Sequence, residues 1–206
     1  MKALDCYFEA LLGMRLDGKG GCIRTAERER AHAPFGTPFP VAELCKDGVV
    51  YRSISPNAAH EAETEPPETL GGRALTLNVL TVPAGWTPRV QHAAVPLDAA
   101  YPICGAARLP KGGRDWGVLR GGRFVGWASA SCCGAVWNVT VETDRAHRRQ
   151  GIALDCLTAL TVDLARIGAT PMYLCETDNG GSLKTALSAG YVRYGNGTLR
   201  LARGQQ

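Results

Sequence analysis

The sequence predicts an α/β (α+β) fold, and three observations in its C-terminal half carry that prediction. Two strand-like runs meet at a Gly-Gly turn, an apolar strand leads through a basic loop into a long amphipathic helix, and a short apolar strand follows the helix. The hairpin makes its strands antiparallel, whereas strand–helix–strand requires a right-handed crossover between parallel neighbours. A mixed sheet with helices packed on it satisfies both. At 206 residues, 45% of them hydrophobic, the chain has the length and apolar fraction to bury a core.

From the N-terminus, Leu4, Phe8, Leu11 and Leu12 recur at helical spacing with Asp5 and Glu9 on the other face, which predicts an amphipathic first helix ended by Gly18-Lys19-Gly20-Gly21. Val49–Ile54 and Leu75–Val82 are strand candidates. The acidic, proline-bearing stretch 61–68 between them reads as a linker or exposed loop. A second boundary lies near Pro110-Lys111-Gly112-Gly113, giving an N-terminal region 1–110 and a C-terminal core 111–206. Trp86, His92 and Tyr101 are candidates for a binding site in the first region, with core packing as the ordinary role for each.

The second region is more legible. Trp116–Arg120 and Arg123–Ala130 form the hairpin around Gly121-Gly122. Val136–Thr143 is rich in the β-branched and aromatic types that suit a pleated surface. Leu154, Leu157, Leu160 or Thr161, Leu164 and Ile167 place one apolar stripe on a helix from about Gly151 to Ile167, with Gly168 as its stop. Pro171–Glu176 then reads as a buried strand, and a short helix follows Asn179.

The loop between strand and helix, Arg148-Arg149-Gln150-Gly151-Ile152-Ala153, has the chemistry of a pyrophosphate cradle. The first N–H groups of a helix have no intrahelical acceptor and carry the positive end of its dipole, so phosphate oxygens are natural ligands there. Gly151 and Ala153 keep that end open, and Arg148 and Arg149 add charge-assisted donors. The chain lacks G-x-x-x-x-G-K-[ST] and lacks G-x-G-x-x-G between a strand and a helix, which removes the common nucleotide loops. A basic helix cap is the ordinary alternative for this loop.

Arg148-x-x-Gly151-x-Ala153 after a strand resembles the [QR]-x-x-G-x-[GA] motif of the GNAT (GCN5-related) N-acetyltransferase superfamily. The segment Asn179 to Gly190-Tyr191 resembles that family's second signature. The resemblance covers about residues 115–195. It implies a mixed, mostly antiparallel central sheet with helices on both faces, and a pair of parallel strands splayed where acetyl-CoA lies. It implies an acyltransferase that moves an acetyl group from acetyl-CoA to a primary amine by direct attack in a ternary complex, with a small-molecule acceptor favoured. A protein or peptide acceptor, with the stretch 61–68 as a contact for a basic partner, and a non-catalytic acyl-CoA-binding module are the alternatives. Main-chain groups of Val141 and Thr143 would bond the pantetheine arm, and the loop Arg148, Arg149, Gln150, Gly151, Ile152 and Ala153 would hold the pyrophosphate. Asn179 and Ser182 match coenzyme-contacting positions and equally suit helix capping. The region ahead of the motif would shape the acceptor site.

Within that resemblance Glu142 and Glu176 are the candidate bases. If Val139 and Val141 face the coenzyme, strand alternation turns Glu142 to the opposite side of the sheet, and a structural pairing is its other reading. The tyrosine that many of these enzymes use as an acid aligns with Ala186, leaving Tyr173, Tyr191, Tyr194 or water to protonate the thiolate.

Composition sets further limits. Eight cysteines without a C-x-x-C pair or zinc-like Cys/His spacing indicate reduced thiols and no metal. The adjacent Cys132-Cys133 is the one pair with a conceivable reactive role. No apolar run approaches the roughly 18 residues of a membrane span, and the acids of Met1–Glu9 do not suit a signal peptide, so a cytoplasmic protein without a membrane partner is expected. Residues 101–206 hold 13 Lys and Arg against 7 Asp and Glu, whereas residues 1–100 hold 10 against 12, so the basic excess falls on the half with the cradle. No nucleic-acid motif accompanies it. The oligomeric state stays open.

Overall fold

A computed structural model describes residues 1–24, 39–56, 73–89, 93–97, 102–103 and 113–200. The stretch 61–68, His92, Tyr101 and Pro110-Lys111-Gly112 lie outside the described residues. Helix α1 (Lys2–Leu12) is followed by strands β1 (Gly21–Arg24), β2 (Val41–Lys46), β3 (Val49–Ile54), β4 (Ala74–Thr81) and β5 (Val95–Pro96). Then come β6 (Arg114–Arg120), β7 (Arg123–Cys133), β8 (Val136–Thr143), helix α2 (Ile152–Arg166), β9 (Pro171–Glu176), helix α3 (Gly180–Ser188) and β10 (Val192–Arg200).

The strands form one sheet in the order β1-β3-β2-β10-β4-β9-β8-β7-β6-β5. Its pairs are antiparallel except β8 with β9 and β1 with β3. The β8–α2–β9 crossover is the parallel unit that the sequence predicts. Strands of both halves interleave, because β4 lies between β9 and β10.

Helices cover the two faces separately. Ile152, Cys156, Leu157, Leu160 and Leu164 of α2 pack with Ala128, Ala130, Val139, Tyr173 and Ala186 on one face. Leu4, Phe8, Leu11 and Leu12 of α1 pack with Leu44, Leu77, Val136 and Met172 on the other. Leu157 and Leu160 are fully buried, so truncating either to Ala costs about 2–5 kcal/mol. Among the described residues no helix is long and apolar enough to cross a membrane.

Two expectations about α1 change. It ends at Leu12, where Gly13 turns left-handed (φ 68°) and its N–H bonds back to Glu9, several residues ahead of the Gly-rich segment. Asp5 is also more than a solvent-facing charge. Its Oδ1 accepts from Lys46 Nζ and from the Tyr194 hydroxyl, each at 2.6 Å, which ties α1 to β2 and β10. Burial works against ionising Asp5, but these two donors outweigh it and hold the carboxyl below its ordinary range.

Candidate active site

The ladder between β8 and β9 is short. Trp137, Asn138 and Val139 pair with Pro171, Met172 and Tyr173, and pairing stops there. Beyond that point β8 stays on β7 as far as Thr143 opposite Gly126, while β9 stays on β4 as far as Glu176 opposite Leu77. The two strands therefore splay, and Thr140–Thr143 and Leu174–Glu176 line the resulting gap. The Trp137 N–H bonds to Thr170 on the β9 side. By alternation the main-chain groups of Val141 and Thr143 point the same way, into the gap. They form an open strand edge of the kind that an extended ligand can pair with.

The gap leads to the start of α2. The chain leaves β8 through a 3₁₀ turn, Arg145–His147, pinned by Asp144. The Asp144 N–H donates to Val125, and its carboxylate lies 2.9 Å from His147 Nδ1. That imidazole, with Arg123 beside it, holds Asp144 below the ordinary carboxylate range. Gly151 is the N-cap at φ 81°, and the first helical bond runs from Asp155 N–H to Gly151 C=O. The N–H groups of Ile152, Ala153 and Leu154 precede that bond and emerge at the helix end. A Cβ on Gly151 would meet nothing within 4 Å, so the space in front of the helix is open.

Neighbours hold this end in place. Ile152 is buried, and Gly126 of β7 lies so close that an added Cβ would come within 2.4 Å of Ile152 Cγ2 and 3.2 Å of the Glu142 carbonyl. Arg120 donates to Gln150 Oε1 at 2.8 Å, and Arg148 Nε reaches the Thr143 carbonyl at 3.4 Å. The side chains of Arg148 and Arg149 are exposed beside the open N–H groups. Sequence reasoning missed Gly126 and Arg120; no local pattern carries the signal, because their partners Ile152 and Gln150 lie far along the chain in the helix and its loop.

At the other side of the gap, Asn179 caps α3 by accepting from the Ser182 N–H at 3.0 Å. The Ser182 hydroxyl lies 2.8 Å from that of Tyr173. Both predicted positions are thus engaged in ordering the β9–α3 turn. Ala186 is fully buried in the core on the α2 face. Of the tyrosines named to replace an acid there, Tyr173 stays beside the gap with its hydroxyl on Ser182, and the other two are committed elsewhere. Tyr191 is buried against Thr161 at 2.8 Å, Tyr194 binds Asp5, and burial raises all three phenols above their usual range. Trp86 caps the far end of α3 by donating to the Ala189 carbonyl at 2.9 Å.

The two carboxylates fall on one face. Val136 and Met172 pack on the α1 side, so Glu142 in β8 and Glu176 in β9 project to that side, one on each strand of the gap. Glu176 is exposed, with Arg73 at 3.9 Å. The face change that separates Glu142 from Val139 and Val141 puts it with Glu176. Among the described residues no group of three or more His, Cys, Asp or Glu could hold a metal.

The architecture is similar to that of solved structures. A protein assigned to the GNAT family of acetyltransferases, from Novosphingobium aromaticivorans, superimposes with a TM-score of 0.53 at 17% identity, over 72% of this chain and 81% of its own. The chain has the GNAT fold. A GNAT-family acetyltransferase from Colwellia psychrerythraea matches at TM-score 0.49 and 14% identity, over 64% of this chain and 58% of that one. A GCN5-related N-acetyltransferase from Kribbella flavida matches at 0.47 and 17%, over 71% and 64%. The chain thus spans less than two thirds of the length of these last two. By sequence, no protein-family model and no curated protein matches it. At these identities the likeness to the GNAT fold speaks for architecture.

Proposed function

We propose that this chain is an acetyl-CoA-dependent N-acetyltransferase that acetylates a primary amine of a small molecule. The observation that carries the reading is the gap between β8 and β9 ending at the open N-terminus of α2. In this reading Val141 and Thr143 pair with the pantetheine arm through their main chain. The N–H groups at Ile152 and Ala153, with Arg148, Arg149 and Gln150 around Gly151, hold the pyrophosphate. Asn179 and Ser182 order the turn that borders the coenzyme. Bound acetyl-CoA supplies the thioester acyl group. Glu142 or Glu176, projecting from the opposite face, takes the proton that the amine releases. Orientation alone reaches effective molarities of roughly 10⁵–10⁸ M in favourable systems, so a weak base suffices. The thiolate leaves with a proton from water or from the Tyr173 hydroxyl beside the gap, in keeping with the commitments of Tyr191 and Tyr194. The N-terminal region shapes the acceptor side, because β4 borders β9 there.

Calorimetric titration with acetyl-CoA, against 3′-dephospho-CoA and ATP, tests the site. Micromolar binding selective for acetyl-CoA followed by transfer to an amine supports the reading, and no binding overturns it. The alanine at position 186, where many of these enzymes place a tyrosine acid, favours a second reading, a non-catalytic acyl-CoA-binding module. Binding without transfer across a broad amine panel selects it.

A further inference from the structure

The outer side of α3 lines a cavity that the acetyltransferase reading does not use. Ser182 and Ala186 turn toward β9 and the core, since the Ser182 hydroxyl meets Tyr173 and Ala186 is fully buried. The helical period then carries Lys184 and Leu187 to the outer side, with Leu183 half-buried on the flank. Together with Gly180, Ser188 and Arg89 they line a cavity of about 420 Å³. That volume falls within the roughly 300–1,000 Å³ of small-molecule sites. Its second wall is the segment 83–89, which lies on the C-terminal end of α3. Trp86 donates to the Ala189 carbonyl there, and a Cβ on Gly190 would come within 2.7 Å of Trp86 Nε1 and 3.1 Å of Arg89 Nε. The floor is apolar, and Leu187 leaves 40% of its surface uncovered. Neither Arg89 nor Lys184, both exposed, forms an ion pair or a side-chain hydrogen bond among the described residues.

Two uncompensated cations beside an apolar floor define the ligand by its chemistry. A guanidinium presents a planar fork of donors that matches a carboxylate, and an ammonium adds three donors and a second positive charge. The leucines reward hydrocarbon, because covering them removes apolar surface of both partners from water. Cations are repelled, and two basic side chains fall short of the run of phosphate contacts that holds a nucleic acid. We propose that this cavity binds an organic carboxylate with an apolar body, the carboxylate held by Arg89 and Lys184 and the body lying on Leu183 and Leu187. The cavity and the gap lie on different sides of α3, so this ligand is bound together with a coenzyme and not in its place. The site stands independently of the acetyltransferase reading.

The test is equilibrium titration of the full chain with octanoate, octylamine and acetate, each with and without saturating acetyl-CoA. Octylamine shares the tail of octanoate with the opposite charge, and acetate shares the head without the tail. Octanoate is expected to bind about tenfold or more tightly than either, and Arg89→Gln and Lys184→Gln should each weaken it by about the same factor. Leu187→Gln should weaken it as well. All three side chains are exposed, so the variants keep the fold. Octanoate binding no better than both controls overturns the proposal, and so does a double Arg89→Gln, Lys184→Gln variant that binds it as the wild type does. Displacement of octanoate by acetyl-CoA places it in the gap and overturns the proposal too. A chain that binds octanoate with these preferences yet binds no acetyl-CoA refutes the acetyltransferase reading alone.

Discussion

Replacing Gly151 by Asp places a carboxylate in the open space before α2. The position is left-handed at φ 81° with nothing within 4 Å of an added Cβ, so the folded chain meets backbone strain and no clash. That strain is about 1–2 kcal/mol for an L-residue, with Asp at the lower end. The effect on coenzyme affinity has a different origin. A carboxylate there opposes the pyrophosphate and competes for the N–H groups of Ile152 and Ala153, and each charge-assisted bond lost costs about 1.5–3 kcal/mol. One such loss weakens binding about 10- to 150-fold. Gly151→Ala supplies the control, since it carries the strain without the charge. Thermal melts should shift by a few degrees in both variants, while titration with acetyl-CoA should show the large loss only for Asp. Matching affinities in the Ala and Asp variants would refute the placement of the pyrophosphate.

Gly126→Ala should cost about 1–3 kcal/mol, because its methyl would lie 2.4 Å from Ile152, and it should weaken acetyl-CoA binding by tilting the start of α2. A melting temperature equal to wild type would show that the contact gives way freely. Asp5 sits below its ordinary value of 3.8, so its contribution is present above that pH and fades as pH falls through the folded value. The stability gap between wild type and Asp5→Asn should therefore be widest above about pH 4 and close in more acid solution; a gap independent of pH contradicts the latch. Of Glu142→Gln and Glu176→Gln, one should lower kcat by about 10²–10⁴-fold with acetyl-CoA affinity unchanged. Full kcat in both leaves positioning and water as the whole mechanism.

The crossover was legible because each of its parts is local: β8 is β-branched, α2 keeps one apolar stripe, and the Gly151 loop needs no distant partner. Strands β1, β2, β5 and β10 gave no such signal. In β10, Gly195 and Gly197 interrupt the apolar run, and the strand exists because β2 and β4 clamp it on both edges. The same divide separates the site's parts. The Arg148–Ala153 loop is contiguous, whereas the Gly126 contact and the shared face of Glu142 with Glu176 depend on strand register and packing, which is long-range information. The partners of Asp5 were hidden for that reason: its helix shows it beside Glu9, and only the packed fold brings Lys46 and Tyr194 to it.

The interleaving of β4 with β9 and β10 has a consequence for how the chain is made. The Thr81 hydroxyl bonds to the Pro171 carbonyl, ninety residues later in sequence. During synthesis β4 therefore emerges with both edges bare and stays so until β9 and β10 leave the ribosome, and the sheet cannot close before the final strand arrives. Such high contact order slows folding and prolongs the exposure of a strand that is buried along most of its length in the finished sheet. A chain stalled before β9 is the species in which aggregation should begin, and chaperone dependence should track the time spent there.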